Sequence, residues 1–287
     1  MRRIPVVATI RDAYFFTATH LGGVIGLIWV PMVLATVMGF FSFQRYYNDF
    51  IDAMAGGNMA ALGPSLLMML GYLVAALLLQ AIMYVAVVQL ALGARTVPAV
   101  AHFSFGNLEW RMFRAFIAFI GVMLMLVIPA FVIGNAALVV GSARLPGAAA
   151  PVLLFVVLYG VILLAMPRFL ALLPAIVVAE TGPVLRRAWA LSAGNYWRLL
   201  GVLVAIFGPV FVLFTGLEIA LAGHGPISSG GPEQAQLLAA IIRAREILPL
   251  MSGLGFLISP LVVGLFAGAS VSAWRALRDE PVLNVAV

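Results

Sequence analysis

Apolar residues in this chain come in long, nearly unbroken runs, with the polar residues confined to short gaps between them. Six runs read as membrane-spanning helices: about Gly22 to Phe41, Leu66 to Leu92, Phe113 to Val139, Pro151 to Val178 with a polar break at Pro167 and Arg168, Leu199 to Leu221, and Leu250 to Trp274. About 20 helical residues at 1.5 Å each cross the hydrocarbon core, so every run suffices, the longer ones with tilt. Prolines 31, 129, 167, 209 and 260 fall inside the runs, where neighbouring helices can satisfy the carbonyls they free. The expected fold class is all-α: one integral membrane domain over residues 1–287, a polytopic bundle of six transmembrane helices with short interfacial helices between them.

The gaps that precede alternate runs resemble one another. Residues 9–20 read TIRDAYFFTATH, 96–107 read TVPAVAHFSFGN and 181–195 read TGPVLRRAWALSAGN. Each opens with a threonine able to cap a helix, and Asp12 follows Thr9 at capping-box spacing. In the third, Leu185, Ala188, Trp189 and Ser192 share one face while Arg186 and Arg187 point elsewhere, the pattern of a helix lying in the interface. Arg11, Ala13, Tyr14, Thr17 and Ala18 align without gaps on Arg186, Ala188, Trp189, Ser192 and Ala193. The run from Gly106 and Asn107 to Trp110 and Arg111 parallels Gly194, Asn195, Trp197 and Arg198 with one residue inserted. This predicts three parallel units, at 9–92, 96–178 and 181–274, each an interfacial helix followed by a transmembrane hairpin. Chance similarity within low-complexity apolar sequence is the alternative.

Composition strengthens the membrane reading and adds an orientation. With 64% hydrophobic and 9% charged residues the chain cannot build an ordinary aqueous surface, and six spans with short loops leave no room for a separate soluble enzyme domain. All 16 positive charges are arginine, too few and too scattered for a nucleic-acid surface. Counting alternate gaps, 11 of them (Arg2, Arg3, Arg11, Arg95, Arg111, Arg114, Arg186, Arg187, Arg198, Arg275 and Arg278) share the side of the N-terminus. Arg45, Arg144, Arg243 and Arg245 face the other side, so both termini are expected in the cytoplasm. The first run is too long for a signal-peptide core and ends in Phe40, Phe41 and Phe43, which argues against cleavage there. Cysteine is absent, which removes disulfides, thiolate catalysis and cysteine-ligated metals.

The most specific stretch is residues 167–201, PRFLALLPAIVVAETGPVLRRAWALSAGNYWRLLG. It resembles a signature of the bacterial integral-membrane family that includes the membrane domain of certain glycerophosphoryl diester phosphodiesterases and the YciC-like proteins. Arg168, Pro174, Glu180, Gly182, Trp189, Leu191, Gly194, Asn195 and Trp197 stand at the family's positions, while Ala188 replaces its common serine. The resemblance implies a multi-pass protein of the bacterial cytoplasmic (inner) membrane and supplies no reaction. The barrel of the fused members needs histidines and acidic metal ligands, whereas this chain has only His20, His102 and His224, widely separated. No catalytic, metal or cofactor site is expected.

Arg168 is the residue whose chemistry most needs an explanation. A guanidinium inside a span must snorkel, pair or face water, and it can fork onto a carboxylate or a lipid phosphate. Its leading protein partner is Glu180, reachable if the chain folds back near Pro174; lipid contact is the alternative. Gly194, Asn195, Trp197 and Arg198 form the accompanying interfacial motif. Glu218 reads as a rim residue of the fifth span. Trp110, Trp189, Tyr196, Trp197, Tyr46, Tyr47 and Trp274 read as aromatic belts. Residues 232–247 pattern as a short external interfacial helix after a flexible HGPISSGG loop, and Gly264-x-x-x-Gly268 is a weak helix-packing signal. Three functions fit: a non-enzymatic scaffold or accessory subunit, a transporter or channel for a hydrophobic or amphipathic solute, and a lipid-modifying membrane enzyme. Membrane lipids and other membrane proteins are the expected partners.

Overall fold

The computed structural model describes residues 3–94, 105–141, 160, 162–163, 165–222 and 233–278. Among these every regular element is helical. In chain order they are α1 (Val6–Gly56), a 3-10 turn (Met59–Leu62), α2 (Gly63–Ala91), α3 (Asn107–Gly141), α4 (Leu173–Ala179), α5 (Val184–Ser192), α6 (Tyr196–Ala222) and α7 (Glu233–Arg278). Five helices, α1, α2, α3, α6 and α7, are long and apolar enough to cross a membrane. The fourth run is represented by a shorter apolar segment, Ala165–Ala179, with a turn at 170–172. Residues 151–159, where that run begins, lie outside the described residues.

Two boundaries differ from expectation. Residues 9–20 are not a separate interfacial helix; they continue into the first span within a single helix of 51 residues, about 76 Å long. In the alignment on the third segment, Gly194 corresponds to Thr19. Gly194 turns at φ +76° and separates α5 from α6, whereas Thr19 stays helical and returns its hydroxyl to the Phe15 carbonyl at 2.7 Å. The capping roles also change. Pro5 caps α1, leaving Thr9 inside it with a buried hydroxyl that has no hydrogen-bond partner among the described residues, and Pro183, not Thr181, caps α5. The 96–104 part of the second segment lies outside the described residues. At the other end of the chain, the expected external helix near 233–247 is the first part of α7, which runs on through Pro249 and Pro260 for 46 residues.

α1 and α7 pack antiparallel along the most extensive interface in the bundle. Gly264 and Gly268 make that approach possible. A Cβ at Gly264 would stand 2.9 Å from the Thr17 methyl, and one at Gly268 would stand 3.1 Å from the Ala13 Cα. The weak GxxxG signal therefore has a definite partner, the Ala13–Thr17 turn of α1. α2 folds back on α1, and Tyr84 of α2 meets Phe116 of α3 and Phe266 of α7 edge-on. Leu67, Leu70, Met125, Phe211, Val212 and Leu257 are exposed on the outside, an apolar exterior suited to acyl chains.

The contacts also sort the arginines. The start of α1, the end of α2, the start of α3, the α4–α5 connection, the start of α6 and the end of α7 meet at one end. That end holds Arg11, Arg111, Arg114, Arg186, Arg187, Arg198, Arg275 and Arg278. At the opposite end Arg245 of α7 donates to Asn48 of α1 at 3.1 Å, and Arg45 lies 3.5 Å from Asp49.

Candidate functional site at the arginine-rich end

α4 has only seven residues, too few to satisfy its own backbone ends. Its partners come from elsewhere in the bundle. Near its start, the Ala175 N–H donates to the buried Ser270 hydroxyl of α7 at 3.3 Å. At its other end the guanidinium of Arg111, projecting from α3, donates to the carbonyls of Val177 at 2.9 Å and Gly182 at 3.0 Å, and also to that of Glu180. A cation at a helix C-terminus is also favoured by the helix dipole. Gly182 lets the chain turn there: its φ of +114° is one that residues with a Cβ rarely adopt.

The Glu180 side chain completes the cluster. One carboxylate oxygen accepts from Arg187 Nε at 2.8 Å; the other accepts from the Trp274 indole N–H at 2.8 Å and lies 3.6 Å from Arg278 Nε. Only 10% of the side chain is exposed. Burial pushes the Glu180 pKa up, but the hydrogen bonds from Trp274 and Arg187 and the fields of Arg187 and Arg278 outweigh it. The pKa therefore lies below its ordinary 4.5 and the group is an anion at neutral pH. One residue thus binds α5 and α7 through its side chain and α3 through its backbone.

The expected Arg168–Glu180 pair does not form. Arg168 instead lies over the Trp189 ring, 4.2 Å from its centroid, and 5.7 Å from that of Tyr196. The turn at 170–172 and α4 carry the chain on to Glu180, whose oxygens are taken by nearer donors. Trp274 is a second correction: it is 3% exposed and donates to a carboxylate, so it is not part of an aromatic belt. Trp110 and Trp197 are exposed, while half-exposed Trp189 serves as the platform for Arg168. Glu218 lies in α6 with its side chain outside the described residues, as does the 224–231 loop.

The interfacial motif forms a joint. Buried Asn195 accepts the Ile4 N–H at 3.0 Å on its side-chain oxygen, tying the start of the chain to the α5–α6 turn, and its backbone carbonyl receives the Leu199 N–H. Gly194 supplies the turn, Trp197 is 77% exposed, and Arg198 is half-buried with no ion pair among the described residues. The matching residues at α3 act differently. There the Glu109 carboxylate accepts the Gly106 N–H at 2.9 Å, half of a capping box, and Arg111 reaches α4.

Arg111, Arg187, Trp274 and Arg278 were not singled out together from sequence. The available signals were the i, i+4 spacing of Trp274 and Arg278 and the seven-residue step from Glu180 to Arg187. No protein-family model, curated protein or solved structure matches the chain, so the site rests on its own geometry.

Proposed function

We propose that the chain is a non-enzymatic integral membrane scaffold or accessory subunit, its arginine-rich end and both termini on the cytoplasmic face of a bacterial inner membrane. The observation that carries this reading is the occupation of Glu180. Its carboxylate receives Arg187 and Trp274 and neighbours Arg278, which suits a group that holds helices together and leaves it poorly placed as a base. The arginine bias supports the orientation. The resemblance of residues 167–201 to the multi-pass family belongs to the same proposal.

Purification from native membranes in mild detergent, with mass spectrometry of co-purifying proteins, tests the role. A membrane protein retained at fixed stoichiometry is expected. A chain that migrates alone and moves an amphipathic solute across reconstituted vesicles would replace this reading with transport. For orientation, Pro5→Cys should stay shielded from an impermeant thiol reagent in intact cells and Ser229→Cys should react, with no native cysteine to interfere. Labelling of Pro5→Cys before lysis would reverse the assignment.

A further inference from the structure

We infer that the groove between α3 and α5 is a binding site for one anionic phospholipid, its phosphate held by Arg114 and Arg186. The groove, about 410 Å3, is walled by α3 on one side and by residues 182–186 on the other. Three arginines, Arg111, Arg114 and Arg186, line it, and among the described residues no carboxylate does. Arg111 is held by the carbonyls at the end of α4. Arg114 and Arg186 are both exposed, and neither has an ion pair or hydrogen bond among the described residues. Two free guanidiniums beside a third fixed one make a strongly positive rim, and a guanidinium fork matches phosphate oxygens.

The floor selects the lipid over a free anion. Ala115, Ala118, Val184 and Leu185 give the groove an apolar base. From Ala118 the same face of α3 continues to Gly121, with open space above it, and to Met125, which is 77% exposed. Charge at the rim followed by an open apolar track fits a molecule with a phosphate at one end and an acyl chain at the other. The depth agrees, because Trp110 and Trp189, both about half exposed, stand at the same end, where aromatic rings mark the head-group layer. This inference deepens the membrane reading and does not depend on whether a protein partner exists.

Native mass spectrometry of the purified full chain, exchanged into mixtures of phosphatidylglycerol and phosphatidylcholine, reads the site directly. The parent should retain one phosphatidylglycerol in preference to phosphatidylcholine. Arg114→Gln and Arg186→Gln should each weaken retention about fivefold, and the double variant roughly twentyfold, as expected for removing basic side chains near an anionic head group. Without added lipid the thermal midpoint should be unchanged, because neither arginine holds the fold. Ala118→Trp, which fills the floor and keeps the arginines, should also expel the lipid, while Arg45→Gln at the far end should retain it. Parental retention in the Arg114→Gln/Arg186→Gln double variant or in Ala118→Trp would overturn the proposal. So would displacement of the bound lipid by millimolar inorganic phosphate, which would make the groove a free-anion site.

Discussion

The α1–α7 seam and the Glu180 cluster hold the same bundle by different physics. Along the seam, Gly264 and Gly268 admit Thr17, Phe16 and Ala13 at distances that leave no room for a side chain. At the arginine-rich end a carboxylate collects donors from α5 and α7, while Arg111 of α3 takes the carbonyls around it. The contrast follows from the surroundings. Where two helices meet along small residues without polar partners, as at Gly264 and Gly268, they adhere through close packing of the backbones. Around α4 and α5, short helices and turns leave backbone polar groups that must find partners, and Arg111 meets three of their carbonyls.

Breaking each region separately sharpens this comparison. The largest effect is expected at the polar end. Glu180→Leu leaves Arg187 and the Trp274 indole without their acceptor and removes the negative charge beside Arg278, and because the arginines are partly exposed the loss should sit near the lower end of the range for a broken buried pair, about 3 kcal/mol. Unfolding of the detergent-solubilised protein measures it. Gly268→Leu should follow at about 2 kcal/mol, by forcing α1 and α7 apart at a backbone contact. The two should be additive, since they disturb separate places on α7; strong coupling between them would show that seam and cluster act as one unit. Smallest is Arg168→Leu, which removes the stacking on Trp189 and Tyr196 and should shift stability by about 1 kcal/mol or less. A loss as large as that of Glu180→Leu would restore Arg168 to the centre of the site.

Hydropathy made the long helices legible because an apolar run has one role in a bilayer, and the arginine distribution separated the two ends. The boundaries were harder. Thr9 and Asp12 have capping spacing, yet Pro5 starts α1 earlier, and nothing at Thr19 breaks the helix as Gly194 does in the third segment. The Glu180 cluster was half visible. Glu180, Gly182 and Asn195 stood out in the motif, but their partners Arg111, Trp274 and Ile4 lie 69 to 191 positions away, and such distant pairings leave no local pattern. Trp274 was further disguised, since a tryptophan at the end of a span has the same sequence appearance whether it faces lipid or a carboxylate.

The central claim, that an ionised Glu180 fastens α7 to the α4–α5 connection, is tested most directly by the stability difference between the parent and Glu180→Gln as a function of pH. Because the folded-state pKa is lowered, the carboxylate's contribution is complete above the unfolded value near 4.5 and fades as pH falls through the lower folded value. The account predicts a gap of about 1–2 kcal/mol at pH 7 that narrows below about pH 4.5 and closes in stronger acid, when the parent also carries a neutral side chain. The same gap at every pH, or none at pH 7, would contradict it.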